Sequence, residues 1–373
     1  MKINPFRMER WQSTWENRVQ FNLSESGVHP MTPMELFELA DADTGEFLNQ
    51  RLVYNQSNGT EELRESIAAI YPGATVDNIL VSNGGSEANF VTTWKLLEPD
   101  DVVVMQAPNY MQMWGTAEIF AREVRAFHLQ EERGWAPNLD ELDDQVDDSV
   151  KLIIVTNPNN PTGAVLTELE IDRIVTIAER AGAWIIADEI YAGAELDGTW
   201  SPTFWGRYDK LVITAGLSKA YGLPGLRLGW AVGPADFIGD LWSYKDYTSI
   251  APGTLSDLCG RIALAPETRQ RIHQRTRRIL NENLAPLADW LTERADIFQY
   301  LPPRAGAICY IRYDLDIGSS ALAQRLKDEC SVLIVPGDHF NMDGYMRIGF
   351  GIPKPELIEA LERIETVLRS LVS

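Results

Sequence analysis

A lysine beside a glycine-rich turn, a carboxylate closing an apolar run and an amide held between two prolines are the parts of this 373-residue sequence best suited to chemistry. Gly216-Leu-Ser-Lys-Ala-Tyr-Gly-Leu-Pro-Gly-Leu-Arg-Leu-Gly-Trp230 sets Lys219 ahead of several glycines and Arg227. A lysine amine can serve as nucleophile or base, and glycines let the backbone approach a ligand closely. Ala187-Asp-Glu-Ile-Tyr191 places Asp188 at the end of a β-rich run, with Tyr191 three residues on. Thr156-Asn-Pro-Asn-Asn-Pro-Thr-Gly163 is a double Asn-Pro turn, of the kind that fixes a side-chain amide in space. Ser82-Asn-Gly-Gly-Ser-Glu-Ala88 joins glycines to a helix-forming run, so that backbone N–H groups at a helix start can hold a phosphate.

Three of these segments directly follow short β-rich runs: Leu152-Ile-Ile-Val155, Trp184-Ile-Ile-Ala187 and Leu211-Val-Ile-Thr214; a fourth run is Val102-Val-Val-Met105. Runs that are continuously apolar, not alternating, suit a parallel sheet buried on both faces, and ligands of such sheets bind beyond the carboxyl ends of the strands. The pattern predicts an α/β domain. After about residue 265 a long charged helix (Arg269 to Trp290) leads to Cys309-Tyr-Ile-Arg312, a helix near 319–330, the run Val332-Leu-Ile-Val335 and a terminal helix from Pro355. We therefore expect an N-terminal arm over 1–45 that joins a small C-terminal α+β domain over 266–373, and a large domain over 46–265. The length supports two lobes, because single cores stop growing near roughly 250–300 residues. Trp11 and Trp15, spaced i, i+4, are expected to be helix packing rather than a ligand site.

A net charge of −21 disfavours nucleic acid and anionic lipid as partners, and no apolar run approaches the roughly 20 residues that span a bilayer. The first ten residues carry no apolar signal region, and Cys259, Cys309 and Cys330 lack metal-ligand spacing. A cytoplasmic protein without a metal centre is expected.

In this order and spacing the segments resemble fold-type I pyridoxal-phosphate enzymes of the class I and II aminotransferase family, over about Tyr54 to Gly351. The resemblance implies a large cofactor-binding domain with a mostly parallel seven-stranded sheet, and pyridoxal 5′-phosphate bound to Lys219 as a Schiff base. Asp188 matches the carboxylate that keeps the ring nitrogen protonated, without which the ring is no electron sink. Asn160 and Tyr191 match the donors to the ring oxygen. Gly85, Ser86 and Glu87 correspond to the phosphate turn, joined by Ser218 and Arg227. Tyr110 lies where the family stacks an aromatic on the ring, and Arg347, in Met346-Arg-Ile-Gly-Phe350, where it binds the substrate α-carboxylate. Tyr54 resembles the tyrosine that reaches the phosphate of a neighbouring subunit, which implies a homodimer with shared sites. The implied reaction moves the amino group of an α-amino acid to a 2-oxo acid.

Ordinary readings stand beside these: Tyr110 as core, Tyr54 as local packing, Arg347 in a surface salt bridge. The sequence also departs from the family pattern. Gly216 occupies a place where Ser or Thr is usual, so one phosphate hydrogen bond is lost or comes from elsewhere. Leu23-Ser-Glu-Ser-Gly-Val-His-Pro30 replaces the usual Gly-x-Gly-Glu-Pro-like segment, making Glu25 and His29 candidates for side-chain recognition or altered chemistry, with Gly27 among the substrate-binding positions. The Ser-Gly-Val segment and the Lys219 stretch look similar to capreomycidine synthases, relatives that cyclise a hydroxylated arginine, so a lyase or cyclase acting on an arginine-derived amino acid is the alternative. A cofactor-binding transcription regulator would need an added DNA-binding module, and the strongly negative charge disfavours it.

Overall fold

The computed structural model describes residues 3–372. Its central sheet has the order Ile79–Ser82, Gly229–Val232, Leu211–Gly216, Trp184–Asp188, Val150–Thr156, Val102–Ala107, Glu123–Gln130 and a two-residue strand, Ala136–Pro137. The five strands from Leu211–Gly216 to Glu123–Gln130 run parallel, whereas Gly229–Val232 is antiparallel to both neighbours. The seven longer strands match the expected sheet, and Ala136–Pro137 adds an antiparallel edge.

The apolar runs form these strands because both faces need covering. Val102, Val104, Ile153, Val155, Ile185 and Ala187 enter one core cluster, while Val103, Met105, Leu152, Ile154 and Ile186 enter another. This is the two-residue alternation of a strand, with apolar groups on both sides. Glu168–Ala181 covers the first face with Ile171, Ile174, Val175 and Ala178. Its ends follow from sequence: Thr167 and Glu170 form a reciprocal capping box, and Gly182 at φ 66° terminates the helix. Helices Gly85–Leu96 and Met111–Phe120 supply Leu96, Met113 and Ala117 to the other face.

A second, antiparallel sheet orders Phe298–Tyr300, Ile308–Tyr313, Tyr345–Gly349 and Val335–Pro336. Around it lie helices Pro266–Thr292, Ser319–Cys330 and Lys354–Val372, near the expected bounds. The run Val332–Val335 is not one strand as its composition suggests. Val332–Leu333 pairs in parallel with Phe21–Asn22, whereas Val335–Pro336 pairs with Tyr345–Gly349. Between them the Ile334 carbonyl accepts a hydrogen bond from Trp11 Nε1 at 2.9 Å. Trp11 meets Trp15 edge-on at 6.4 Å, so the pair is packing. No described helix is long and apolar enough to cross a membrane.

The N-terminal segment after Phe21–Asn22 lies against the strand that carries Arg347. Gly349 N–H donates to the Leu23 carbonyl at 2.7 Å, and His29 N–H to the Gly351 carbonyl at 2.6 Å. A Cβ on Gly349 or Gly351 would collide with the backbone of Glu25 or Gly27. These two glycines therefore seat the arm over the second sheet.

Candidate active site

A cavity of about 330 Å³ opens where the parallel strands end, bounded by Thr156, Asp188 and Ser218 on that side and by the N-terminal helix Arg7–Trp15 on another. Lys219, Asp188, Tyr191, Asn160, Tyr110, Gly85, Ser86, Ser218, Arg227, Arg347 and Glu25 all line it.

Asp188 closes the strand Trp184–Asp188 and is buried. Its Oδ2 accepts from Asn89 Nδ2 and its Oδ1 from Ile190 N–H, each at 3.0 Å. Asn89 is oriented in turn by Thr214 Oγ1, which donates to Asn89 Oδ1 at 2.6 Å from the neighbouring strand. Burial outweighs both hydrogen bonds and pushes the Asp188 pKa up to about 6. No cationic side chain of the described residues forms an ion pair with it.

Arg347 is 1% exposed. Its Nη1 donates to Asn160 Oδ1 at 2.8 Å and its Nη2 to the Ser24 carbonyl, while Nε has no partner among the described residues. Nor does any described carboxylate lie in salt-bridge contact with it. A buried guanidinium held by neutral acceptors is the opposite of a surface salt bridge, and it calls for an anion from outside.

Lys219 lies in the turn after Leu211–Gly216, with Nζ 3.6 Å from Glu25 Oε2. Lys219 first, and Arg347 after it, hold the Glu25 carboxyl below its ordinary pKa. Gly27 lets the arm pack here, since a Cβ on it would stand 3.2 Å from the Ser218 carbonyl. Gly216 is also explained: a Cβ there would meet the Leu228 carbonyl at 2.8 Å and Gly229 Cα at 3.0 Å, so the serine or threonine usual at this place has no room.

At the other end, helix Gly85–Leu96 begins behind Gly84, whose φ of 86° favours glycine and whose missing side chain leaves the first turn uncapped. Arg227, itself at φ 47°, sends Nη1 to Ser218 Oγ at 3.4 Å and to the Pro224 carbonyl at 3.1 Å. A Cβ on Gly84 would stand 2.5 Å from Arg227 Nη2. The uncapped N–H groups and the guanidinium thus converge as an anion site requires.

Gly27, packed behind Lys219, does not itself line the cavity, and three further candidates are elsewhere. His29 does not line the cavity: its Nδ1 faces Arg275 Nη2 at 3.0 Å, and burial, with Arg275, lowers its pKa. The Glu87 carboxylate turns away to accept from Asn83 N–H at 2.6 Å, Ser249 N–H at 3.1 Å and Thr248 Oγ1, so it ties the start of helix Gly85–Leu96 to a neighbouring loop. Tyr54 is 88% exposed, near the exposed Leu48, Leu52 and Val53, and is not packed locally. Sequence reasoning missed Asn89, Glu9, Gln12 and Glu16, which also face the cavity. Asn89 was findable, four residues after Gly85 on the same helix face.

The family model for aminotransferase class I and II matches residues 41–364. This chain belongs to that family. A capreomycidine synthase of Streptomyces vinaceus is 29% identical over 370 residues, 97% of this chain and 93% of that protein. An aspartate aminotransferase of Streptomyces avermitilis is 27% identical over 337 residues, 84% of this chain and 81% of that protein. Among solved structures, a PLP-dependent aminotransferase from Streptococcus suis superposes with a TM-score of 0.93 at 33% identity, covering 100% of this chain and 99% of that one. A PLP-dependent cyclase, OrfR, gives 0.90 at 25% identity, covering 99% and 98%.

The family's cofactor is pyridoxal 5′-phosphate, and the cavity fits it. Asp188 is a buried carboxylate without a cation, which a protonated ring nitrogen supplies; the uncapped helix start and Arg227 suit a phosphate; Lys219 presents an amine between them.

Proposed function

We propose that the protein is an aminotransferase that moves the amino group of an α-amino acid to a 2-oxo acid, with Lys219 as the attachment point of the cofactor and as the proton carrier. When bound, pyridoxal phosphate supplies an electron sink that allows a bond at the substrate Cα to break. Lys219 Nζ takes the Cα proton and returns it one position away, acting as base and then acid. Asp188 holds negative charge against the ring nitrogen and so keeps it protonated. Asn160, whose Oδ1 is occupied by Arg347, has its Nδ2 free to donate to the ring oxygen, together with Tyr191. Tyr110 offers a flat wall; Gly85 and Ser86 N–H, Ser218 and Arg227 hold the phosphate; Arg347 takes the α-carboxylate and fixes the Cα–H bond relative to Lys219.

The observation that carries this reading is the meeting, in one cavity, of an amine, a buried unpaired carboxylate and a buried unpaired guanidinium. Borohydride reduction of the holoenzyme followed by peptide mapping tests it. Label on Lys219 together with release of a 2-oxo acid from an amino acid supports the reading, and label elsewhere overturns it.

A second reading, cyclisation of an arginine-derived amino acid, is favoured by the 29% identity to a capreomycidine synthase along nearly the whole chain. Product analysis separates the two. Amino transfer releases an oxo acid and leaves the aminated cofactor, whereas cyclisation releases neither and restores the starting spectrum.

We also propose a homodimer. The exposed Tyr54, with Leu48, Leu52, Val53 and Tyr247, supports an interface in which Tyr54 reaches the partner's phosphate site. An arm over 1–45, a large domain over 46–265, a small one over 266–373 and a cytoplasmic location complete the proposal.

A further inference from the structure

The wall of the cavity formed by the N-terminal helix is acidic. Helix Arg7–Trp15 presents Glu9 and Gln12 to the cavity, followed by its C-cap Glu16, spaced i, i+3, i+7 and so on one face. Glu25 adds a third carboxylate from the arm. Burial, then repulsion from Glu25 and Glu9, raises the pKa of Glu16, so the three share one field. Neither Glu9 nor Glu16 has a salt-bridge partner among the described residues, and Glu25 has only Lys219.

The cationic side chains that face the cavity are Lys219, Arg227 and Arg347. On the reading given above, none of them neutralises the wall in the working enzyme: Lys219 holds the cofactor or, once released, serves as the base for the Cα proton, Arg227 is engaged by the phosphate and Arg347 by the substrate α-carboxylate. Asp188 is matched by the ring nitrogen. Glu16 and Glu25, both half-buried, are then left without counter-charge beside the more exposed Glu9, which accepts only from Tyr110 OH at 3.4 Å, so a cation on the substrate side chain meets an uncompensated negative field. A separate observation fixes the direction. Arg347, buried and with Nε unpartnered, is held by the Ser24 carbonyl, next in sequence to Glu25. An amino acid anchored on Arg347 therefore has the acidic wall within reach of its side chain.

We propose that this wall is a side-chain subsite selective for a long cationic group, a guanidinium or ammonium, with Glu25 as the principal carboxylate and Glu16 and Glu9 as supporting ones. The inference rests on the proposed function. A dicarboxylic substrate would place like charges together and is rejected by the same residues.

The test is equilibrium binding to the holoenzyme of two ligands that lack an α-amino group, 5-guanidinopentanoate and pentanoate, followed through the cofactor absorbance and by calorimetry. Both offer Arg347 a carboxylate and only the first carries a cation. We expect the guanidino acid to bind at least about tenfold tighter, roughly 1.4 kcal/mol, and the Glu9→Gln/Glu16→Gln/Glu25→Gln variant to bring the two within about threefold. 5-Aminopentanoate in place of the guanidino acid shows which cation is preferred, and a tenfold preference for either supports the subsite. Equal binding of all three ligands to wild type, or a preference unchanged in the triple variant, overturns it. Failure of the underlying reading differs: pentanoate would then bind wild type no better than Arg347→Gln. Glutamine preserves the shape of each side chain, and a thermal melt confirms that the variant is folded.

Discussion

Asp188 makes the cofactor-free protein less stable than it could be, because a desolvated carboxylate without a cation is costly to ionise. Its pKa of about 6 in the folded chain stands above the ordinary 3.8, so the folded state binds the proton more tightly than the unfolded state does. The sign follows: the stabilisation is full below pH 3.8 and is lost as pH rises through 6. The shift corresponds to about 3 kcal/mol between these limits, of which roughly half is lost between pH 5 and pH 7. Asp188→Asn removes the titration. It keeps an acceptor for Asn89 or Ile190 but not both, which costs on the order of 1–2 kcal/mol. The cofactor-free variant should therefore gain on wild type as pH rises from 5 to about 7 and then level off, a midpoint change on the order of a few degrees. With cofactor bound the order reverses, since the ring nitrogen supplies the missing cation. Thermal melts of cofactor-free wild type and Asp188→Asn at matched concentration, from pH 5 to 8, give the measurement. A difference that does not change with pH refutes the argument that Asp188 is buried uncompensated and awaits a cation.

Lys219→Ala should abolish turnover while the protein still folds and binds cofactor without a covalent link; borohydride labelling that persists in this variant would contradict the assignment. Gly84→Ala should weaken cofactor binding by about tenfold or more, because the new Cβ meets Arg227 Nη2 at 2.5 Å and strains a backbone at φ 86°; titration of the cofactor-free protein reads this, and unchanged affinity would remove Arg227 from the phosphate site. Mixing Lys219→Ala with Tyr54→Phe subunits should restore partial activity if Tyr54 serves the partner's site, and none despite subunit exchange if it does not.

The central sheet and its ligand-facing ends were legible because both depend on local chemistry. Short continuous apolar runs alternating with helical stretches suit doubly covered strands, and the turns that follow them are made from Asn-Pro pairs and glycines whose backbone preferences are local. Lys219, Asp188, Asn160 and Arg227 were thereby brought to one cavity as expected. Side chains on irregular segments were another matter, since their direction is set by partners distant along the chain. His29 was drawn to Arg275, 246 positions on, and Val332–Val335 was divided between two sheets because Phe21–Asn22 and Tyr345–Gly349 compete for its backbone. Glu87 sits in the first turn of helix Gly85–Leu96, and the direction of its carboxylate was set by Ser249, 162 positions on. The acidic wall is the clearest case of what tertiary structure alone decided. The spacing of Glu9, Gln12 and Glu16 marks a helix face, but which face meets the cavity was settled by Trp11 docking on Ile334 and by glycines 349 and 351 admitting the arm.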